Sequence, residues 1–306
     1  MKVLLLGCGN MGAFYDFDND QVLTYAKAFH LHTDWQISLF DADAQRLSLV
    51  SQRYGFETVS SLEDVDFGRF DAVCIATSTP THFTFLSKAL KRQVPVIICE
   101  KPISTQANEL KELDVAYKKG SSKVMVNYIR RFQPAYSELK ARLGEFISEE
   151  PIQSIRFNYK KGLLNNASHG LDILQFLLGS HFQFSNATII EKTHDTFPDD
   201  PTVSCIIPQD GYSLELIGHA HSTDPVFDLT VTFQTKRLLI LESGNTIRIE
   251  ENNETGAVVY LADNAIQDYM IPVIDHMKQL INEPGLPDNF QESLELNQQL
   301  LLLLNE

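Results

Sequence analysis

Cysteine is scarce in this 306-residue chain: Cys8, Cys74, Cys99 and Cys205 are the four, with no short paired spacing among them. That pattern gives no support to a zinc ribbon or a disulfide framework. Buried free thiols in a reducing compartment are the expected state, so the expected localisation is cytoplasmic. Positive charge is also in short supply, with 25 Lys+Arg against 40 Asp+Glu and a formal net charge of -15. Binding a phosphate backbone requires a basic excess. Residues 1–120 have a balance of -3 and residues 121–306 a balance of -12, so neither nucleic acid nor an anionic membrane is an expected partner. Long apolar runs are missing too. Val3 to Leu6 is shorter than the roughly 7–15 residues of a secretory apolar region. Leu300 to Leu304 falls well short of the roughly 18 residues of a spanning helix. No G-x-S-x-G motif is present, which leaves a nucleophile-elbow hydrolase unsupported, and no internal repeat or low-complexity stretch appears.

What is there is an alternation. Apolar runs at Lys2–Leu6, Ile37–Phe40, Ala72–Ala76, Val94–Cys99 and Lys123–Tyr128 read as strands. Between them Val22–His32, Ala44–Tyr54 (closed by Gly55), His82–Lys91 and Leu110–Tyr117 have helical spacing. Strands alternating with helices predict an α/β fold with a doubly wound parallel sheet. From Ile152 the period changes to two, with Ile155, Phe157 and Tyr159 on one side and Ser154, Arg156 and Asn158 on the other. Similar stretches at Thr188–Glu191, Val203–Ile207, Leu214–Ile217, Phe227–Phe233, Arg237–Leu241, Thr246–Ile249 and Val258–Leu261 predict a large, mostly antiparallel open sheet in a C-terminal α+β domain. Helices are expected at Leu164–Leu178, Ile266–Ile281 and Gln291–Leu303, and the domain boundary at residue 130, giving domains 1–130 and 131–306.

Gly7-Cys8-Gly9-Asn10-Met11-Gly12 fits G-x-G-x-x-G directly after the first strand. In that context the first glycine permits a tight turn, the second a close approach of pyrophosphate, and the third close strand–helix packing. Gly7, Gly9, Asn10, Met11 and Gly12 are therefore cofactor-binding candidates. Asp41, ending the second strand, suits a ribose hydroxyl and repels a 2′-phosphate, which favours NAD over NADP. The gap from Gly12 to Asp41 exceeds the usual distance of about 20 residues. The extra length lies in Ala13–Gln21, where Asp16, Asp18 and Asp20 make either a solvated loop or a lid. Glu100-Lys101-Pro102 follows the fourth strand on the carboxyl side of the sheet, where such folds bind ligands. A lysine there either forms a structural ion pair or donates a hydrogen bond to a substrate oxygen.

Five segments occur in order: the glycine loop, Ala76-Thr77-Ser78-Thr79-Pro80-Thr81-His82, Glu100-Lys101-Pro102-Ile103, Tyr128-Ile129-Arg130-Arg131-Phe132 and His169-Gly170-Leu171-Asp172. Together they resemble the Gfo/Idh/MocA family of glucose–fructose oxidoreductase, inositol dehydrogenase and relatives, over nearly the whole chain. The resemblance implies a Rossmann domain followed by an open-sheet domain, a bound nicotinamide cofactor, and homodimers or homotetramers formed through the sheet. It implies hydride transfer with a sugar, a sugar derivative or a cyclic polyol, and adds Thr77, Ser78, Pro80, His82, Glu100 and Lys101 to the cofactor side. Lys101 and His169 become catalytic candidates. The family aspartate four residues before the histidine is Asn165 here, an amide that can orient a substrate but cannot take a proton.

Asn165, His169 and Asp172 share helical spacing i, i+4, i+7 and so one polar face. With Tyr128 and Arg130 on the strand end, Asn165 and Asp172 are the substrate-side candidates. Asn127 and Tyr128 are read as facing the nicotinamide, and Tyr159 as core. His219, His221 and Asp224 are read as structural or substrate-lining, with no metal expected. The acidity of residues 121–306 disfavours phosphorylated or carboxylated substrates unless Arg130, Arg131 or Lys160 counter it locally. The alternatives are a non-catalytic dinucleotide-binding regulator, kept open by Asn165, and a reductase of a non-sugar carbonyl or imine.

Overall fold

A computed structural model describes residues 1–63, 65–147 and 150–305. In chain order the first elements are β1 (Lys2–Leu6), α1 (Tyr25–His32), β2 (Gln36–Phe40), α2 (Ala44–Tyr54), β3 (Glu57–Thr58), β4 (Ala72–Ile75), α3 (His82–Lys91), β5 (Val96–Cys99), α4 (Ala107–Lys118) and β6 (Lys123–Val126). Then come α5 (Pro134–Ile147), β7 (Ile152–Tyr159), α6 (Ser168–Leu178), β8 (Thr188–Phe197), β9 (Asp200–Pro208), β10 (Ser213–Gly218), β11 (Phe227–Phe233), β12 (Lys236–Leu241), β13 (Thr246–Glu251) and β14 (Val258–Ala262). The helices α7 (Met270–Asn282) and α8 (Phe290–Asn305) close the chain.

The fold is α/β and divides into two compact units. The first contains residues 1–129 and 268–294, the second residues 130–267 and 295–306. The chain thus passes between units near residues 130, 267 and 294.

In the first unit six parallel strands run in the order β3-β2-β1-β4-β5-β6. Helices cover both faces of a parallel sheet, so its strands read as continuous apolar runs. Val3 to Leu6, Ala72 to Ile75 and Ile97 to Cys99 accordingly have no exposed surface. The strand order reverses at β1/β4, and the carboxyl ends there form the crevice in which such sheets bind ligands. Asp43 caps α2 by accepting from the Gln45 and Arg46 amides, and Gly55 ends it at φ +72°. α7 is tied to the sheet unit by Val22, whose N–H donates to Asp268 Oδ1 at 2.7 Å. The edge strand β6 is blunted by side chains from the loop before α8. Val124 N–H donates to Asp288 and Val126 N–H to Asn289, while Asn289 Nδ2 returns a bond to the Val126 carbonyl. An unpaired strand edge invites wrong pairing, and these groups occupy it.

In the second unit eight strands run β14-β13-β12-β11-β7-β10-β9-β8, with only β7–β10 parallel. Ile155, Phe157, Leu214, Leu216, Leu229, Val231, Leu238, Ile240, Ile247 and Ile249 are all buried on one face. Gly170 of α6 lies directly against the Phe157 ring, so any larger residue there would lift the helix off the sheet. The opposite face carries Ser154, Arg156, Glu215, Thr230 and Thr232, all at least partly exposed. Among the described residues no helix is long and apolar enough to cross a membrane.

Several element boundaries differ from the sequence reading. The helix expected from Val22 starts at Tyr25, because Thr24 caps it with its side chain. The helix expected from Leu164 begins with a wide π turn over Leu163–Ala167 and becomes α-helical at Ser168. The helix expected from Ile266 begins at Met270. β3 and α5 were not anticipated. β3 is two exposed residues with no period to detect, and α5 starts at Pro134, immediately after a 3-10 turn over Ile129–Phe132.

Candidate active site

The glycine loop has the geometry its motif requires. Gly7 sits at φ +97°, and a Cβ there would lie 2.5 Å from the Ala76 carbonyl oxygen. A Cβ on Gly12 would collide with the Gly7 carbonyl. At Gly9, by contrast, the space a Cβ would enter holds no atom within 4 Å, the opening a pyrophosphate needs. Asp41 follows β2 and faces this loop: Oδ2 accepts from the Cys8 amide at 2.6 Å and Oδ1 from Asp43 N–H at 2.8 Å. A carboxylate has about four lone-pair sites, so these two bonds leave acceptor capacity for ribose hydroxyls. The residues present therefore fit a dinucleotide. Burial, reinforced by Asp41, pushes the Cys8 thiol up to about 12, so Cys8 is inert as a nucleophile.

One feature of the motif is changed. The glycines lead into a single π turn, Asn10–Phe14, not a long helix. The extra residues after it form an ordered loop. Asp16 is fully buried and accepts from the Leu23 and Thr24 amides and the Thr24 hydroxyl. Lys27 binds the Asp16 and Asn19 carbonyls from the other side. The solvated-loop expectation holds for Asp18 and Asp20, which are exposed, and fails for Asp16, which anchors the start of α1.

Loops after β4 and β5 meet at His82. Its Nδ1 lies 2.8 Å from the Pro102 carbonyl and its Nε2 3.0 Å from the Thr77 carbonyl, and the ring is 1% exposed. His82 is thus a strut between the two loops. Ser78 and Pro80 shape the short turn before α3, and Thr81 Oγ1 donates to Thr77 Oγ1 and to the Ser78 carbonyl. The Lys101–Pro102 bond is cis, and Lys101 is half-buried at the carboxyl end of β5.

Its neighbour Glu100 points inward. Tyr25 OH donates to Glu100 Oε1 at 2.9 Å, and Asn127 Nδ2 donates to the same oxygen at 2.7 Å. Tyr25 and Asn127 have no exposed surface, so sequence reasoning placed Asn127 correctly at a strand end but missed its buried partner. Tyr25 carried no signal beyond an apolar helix position. Burial raises the Glu100 carboxyl above its ordinary range, against the opposing pull of the Asn127 and Tyr25 hydrogen bonds and the Lys101 and His82 charges. A carboxyl raised in the folded state stabilises the fold below its ordinary range, and that contribution is lost as pH rises through the folded value. Glu100→Gln retains an acceptor oxygen without charge. It is expected to raise the melting temperature more at about pH 8 than at about pH 4, below the ordinary glutamate value of roughly 4.3. Melts showing the same change at both pH values would exclude the charge effect.

In the second unit the three residues expected on one polar face differ in burial: Asn165 and His169 are half-buried and Asp172 is buried. Asn165 lies in the π turn, where Asp200 binds the Leu164 and Asn165 amides at 2.8 and 2.7 Å. Asn165 Nδ2 donates to the Lys161 carbonyl at 3.1 Å. His169 is half-buried in the first turn of α6. Asp172 is only 1% exposed and binds Arg131 at two points, Nη2–Oδ1 2.8 Å and Nε–Oδ2 3.0 Å. An ion pair in the interior, with one hydrogen bond from Arg131 Nε, ties the turn after β6 to α6, so Asp172 supports the helix bearing His169.

Arg130 is buried against the Phe227 ring at 4.1 Å and donates to the Ser243 carbonyl at 2.6 and 3.2 Å. Tyr128 is 2% exposed. Tyr159 is core, its hydroxyl donating to the Val203 carbonyl. His219 Nε2 lies 3.0 Å from Asn158 Oδ1, and among the described residues no three His, Cys, Asp or Glu side chains gather as metal ligands.

Comparison with known proteins agrees with this geometry. Residues 1–128 match the model of the oxidoreductase family with an NAD-binding Rossmann fold. The chain is similar to inositol 2-dehydrogenase 2 of Paenarthrobacter aurescens, 26% identical over 195 residues, 59% of this chain and 56% of that protein. It is also similar to inositol 2-dehydrogenase of Acidothermus cellulolyticus, 24% identical over 284 residues, 87% of this chain and 74% of that protein. The match thus spans little more than half the length of the first of these relatives. Among solved structures, a 3-ketoreductase from Actinomadura kijaniata in complex with NADP shares the fold, with TM-score 0.76 and 16% identity over 98% of this chain and 95% of that one. The glycine loop, the β2 aspartate and the Glu-Lys-Pro turn all lie within the segment 1–128 that matches the model of the Gfo/Idh/MocA oxidoreductase family, an NAD-binding Rossmann fold.

Proposed function

We propose that the chain is an NAD(P)-dependent dehydrogenase or reductase acting on a CH–OH group of a sugar, a sugar derivative or a cyclic polyol. The observation that carries this reading is Lys101, held at the carboxyl end of β5 in the same sheet as the glycine loop and flanked by two braced residues. Glu100 is locked by Tyr25 and Asn127, and the Pro102 carbonyl is met by His82. A lysine fixed in that way donates a hydrogen bond to a substrate oxygen. The nicotinamide, when bound, supplies hydride transfer. Lys101 polarises the reacting oxygen. His169 takes the hydroxyl proton in oxidation and returns it in reduction. Asn165 orients a neighbouring hydroxyl, since an amide cannot relay the proton an aspartate would.

Asp41 supports NAD over NADP, because its carboxylate sits where a 2′-phosphate would meet like charge. The inositol dehydrogenases among the relatives support a polyhydroxylated substrate. The test is absorbance at the nicotinamide band with purified chain, NAD⁺ or NADP⁺, and a panel of polyols and sugars. Turnover with NAD⁺ preferred is the expected result. Tight cofactor binding with no turnover on any polyol, sugar or non-sugar carbonyl would instead identify a dinucleotide-binding regulator.

A further inference from the structure

The two bonds of His82 ask for two protons. Its Nδ1 lies 2.8 Å from the Pro102 carbonyl oxygen and its Nε2 3.0 Å from the Thr77 carbonyl oxygen. A carbonyl oxygen only accepts, and a neutral imidazole carries a single N–H. Both bonds therefore form together only when the ring is an imidazolium. Loss of either proton leaves a nitrogen lone pair facing an oxygen lone pair. The ring is 1% exposed, so water does not stand in for the lost bond.

The two carbonyls belong to turns at the carboxyl ends of β4 and β5. Pro102 follows Lys101. Thr77 lies in the turn that touches the glycine loop: a Cβ on Gly7 would come within 2.5 Å of the Ala76 carbonyl oxygen and 2.8 Å of the Thr77 nitrogen. The strand ends below are joined by sheet rungs, Ala76 N–H to the Leu6 carbonyl at 2.8 Å and Glu100 N–H to the Ile75 carbonyl at 2.9 Å. Past those rungs His82 links the two turns.

An imidazolium in the interior needs a counter-charge. Glu100, one residue before Lys101, is placed to supply it. Burial raises the Glu100 carboxyl, while the Asn127 and Tyr25 hydrogen bonds and the Lys101 and His82 charges hold it down. Tyr25 of α1, Cys74 of β4 and Cys99 of β5 surround Glu100, and burial, reinforced by the Glu100 charge, pushes all three up, so they stay protonated near neutral pH. Of these neighbours only Glu100 is shifted toward the window of about pH 5 to 8 in which a histidine changes charge.

We infer that His82 is a positioning residue whose imidazolium form couples dinucleotide affinity to pH. Doubly protonated, it ties the Thr77 turn, and through it the glycine loop, to the Lys101–Pro102 turn. Deprotonation gives up one of the two ties, and a dinucleotide must then order what the clamp had held. Affinity falls as pH rises, and by linkage dinucleotide binding favours the protonated ring. The inference rests on the oxidoreductase reading above and adds a proton dependence at that site.

The test has two parts, both on the full chain. In the first, NMR of nitrogen-labelled histidine follows the ring from about pH 5.5 to about pH 8.5, a range that spans ordinary histidine titration. Ring N–H protons that are buried and hydrogen-bonded exchange slowly enough to be seen, and those of His82 are assigned by their contacts with Thr77 and Pro102. Two signals at the acidic end and one at the basic end are expected. One signal throughout, or two throughout, overturns the inference.

In the second, the Kd for NAD⁺ is measured by calorimetry over the same range. It is expected to rise about three- to tenfold across a single step, the size of one hydrogen bond. His82→Asn is expected to show the weaker Kd with no step. Glu100→Gln, which lacks the counter-charge, is expected to keep a step at lower pH. A step that vanishes in Glu100→Gln belongs to Glu100 and overturns the inference. So does a step of equal size in His82→Asn, or a flat Kd in the unaltered chain, and each leaves the oxidoreductase reading intact. If His82→Asn does not fold, the ring signals and Glu100→Gln decide. No NAD⁺ binding at any pH removes the oxidoreductase reading and the inference with it.

Discussion

Lys101→Ala is expected to lower kcat by about 10²- to 10⁴-fold, the range contributed by a positioned proton donor or acceptor. The position is stiff. β5 ends at Cys99, Glu100 is pinned inside by Tyr25 and Asn127, and the next carbonyl, Pro102, is met by His82. With its backbone fixed on both sides, the lysine loses little freedom when it meets an oxygen. The Kd for NADH, read by fluorescence, separates the chemical step from cofactor binding: a value within about threefold of wild type, under roughly 1 kcal/mol, assigns the rate loss to the chemistry. Lys101→Arg is not expected to rescue the rate, because a planar fork does not replace a compact ammonium at one oxygen. A Lys101→Ala chain with full turnover would remove the residue from the chemistry.

Arg131→Met is the largest expected effect on stability. The Arg131 and Asp172 side chains are 5% and 1% exposed. Removing the guanidinium leaves a carboxylate buried without its counter-charge, which costs about 3–5 kcal/mol. For a chain of this size that corresponds to a melting temperature lower by roughly 10 °C. A companion variant, Arg131→Met with Asp172→Leu, removes both charges and is expected to recover most of the loss, because a well-packed apolar pair often matches a buried ion pair. Circular-dichroism melts of the two variants decide the matter. A single variant within about 1 kcal/mol of wild type would mean that the pair contributes no more than an exposed one.

Periodicity made the two sheets legible in advance. Continuous apolar runs marked the strands buried on both faces, and alternation marked those buried on one. The glycine loop was legible because each glycine answers a separate steric demand, and Gly7 and Gly12 meet those demands. β3 was not legible, since two exposed residues carry no period. The π turn over Leu163–Ala167 was hidden because its residues fit a helix pattern equally well. Asp16 shows a further kind of blindness: in sequence it is one acid among three, and only folding buries it against the Leu23 and Thr24 amides.

By itself the sequence determined the order of the strands and helices other than β3 and α5, the dinucleotide loop, the aspartate after β2 and the lysine after β5. These are local: each follows from spacing within a few residues or from position at a strand end. Tertiary structure alone decided the partners. It joined Tyr25 to Glu100 across 75 positions, Arg131 to Asp172 across 41, and Arg130 to Ser243 across 113. Contacts between residues so far apart depend on how whole elements pack, which spacing within a few residues does not encode.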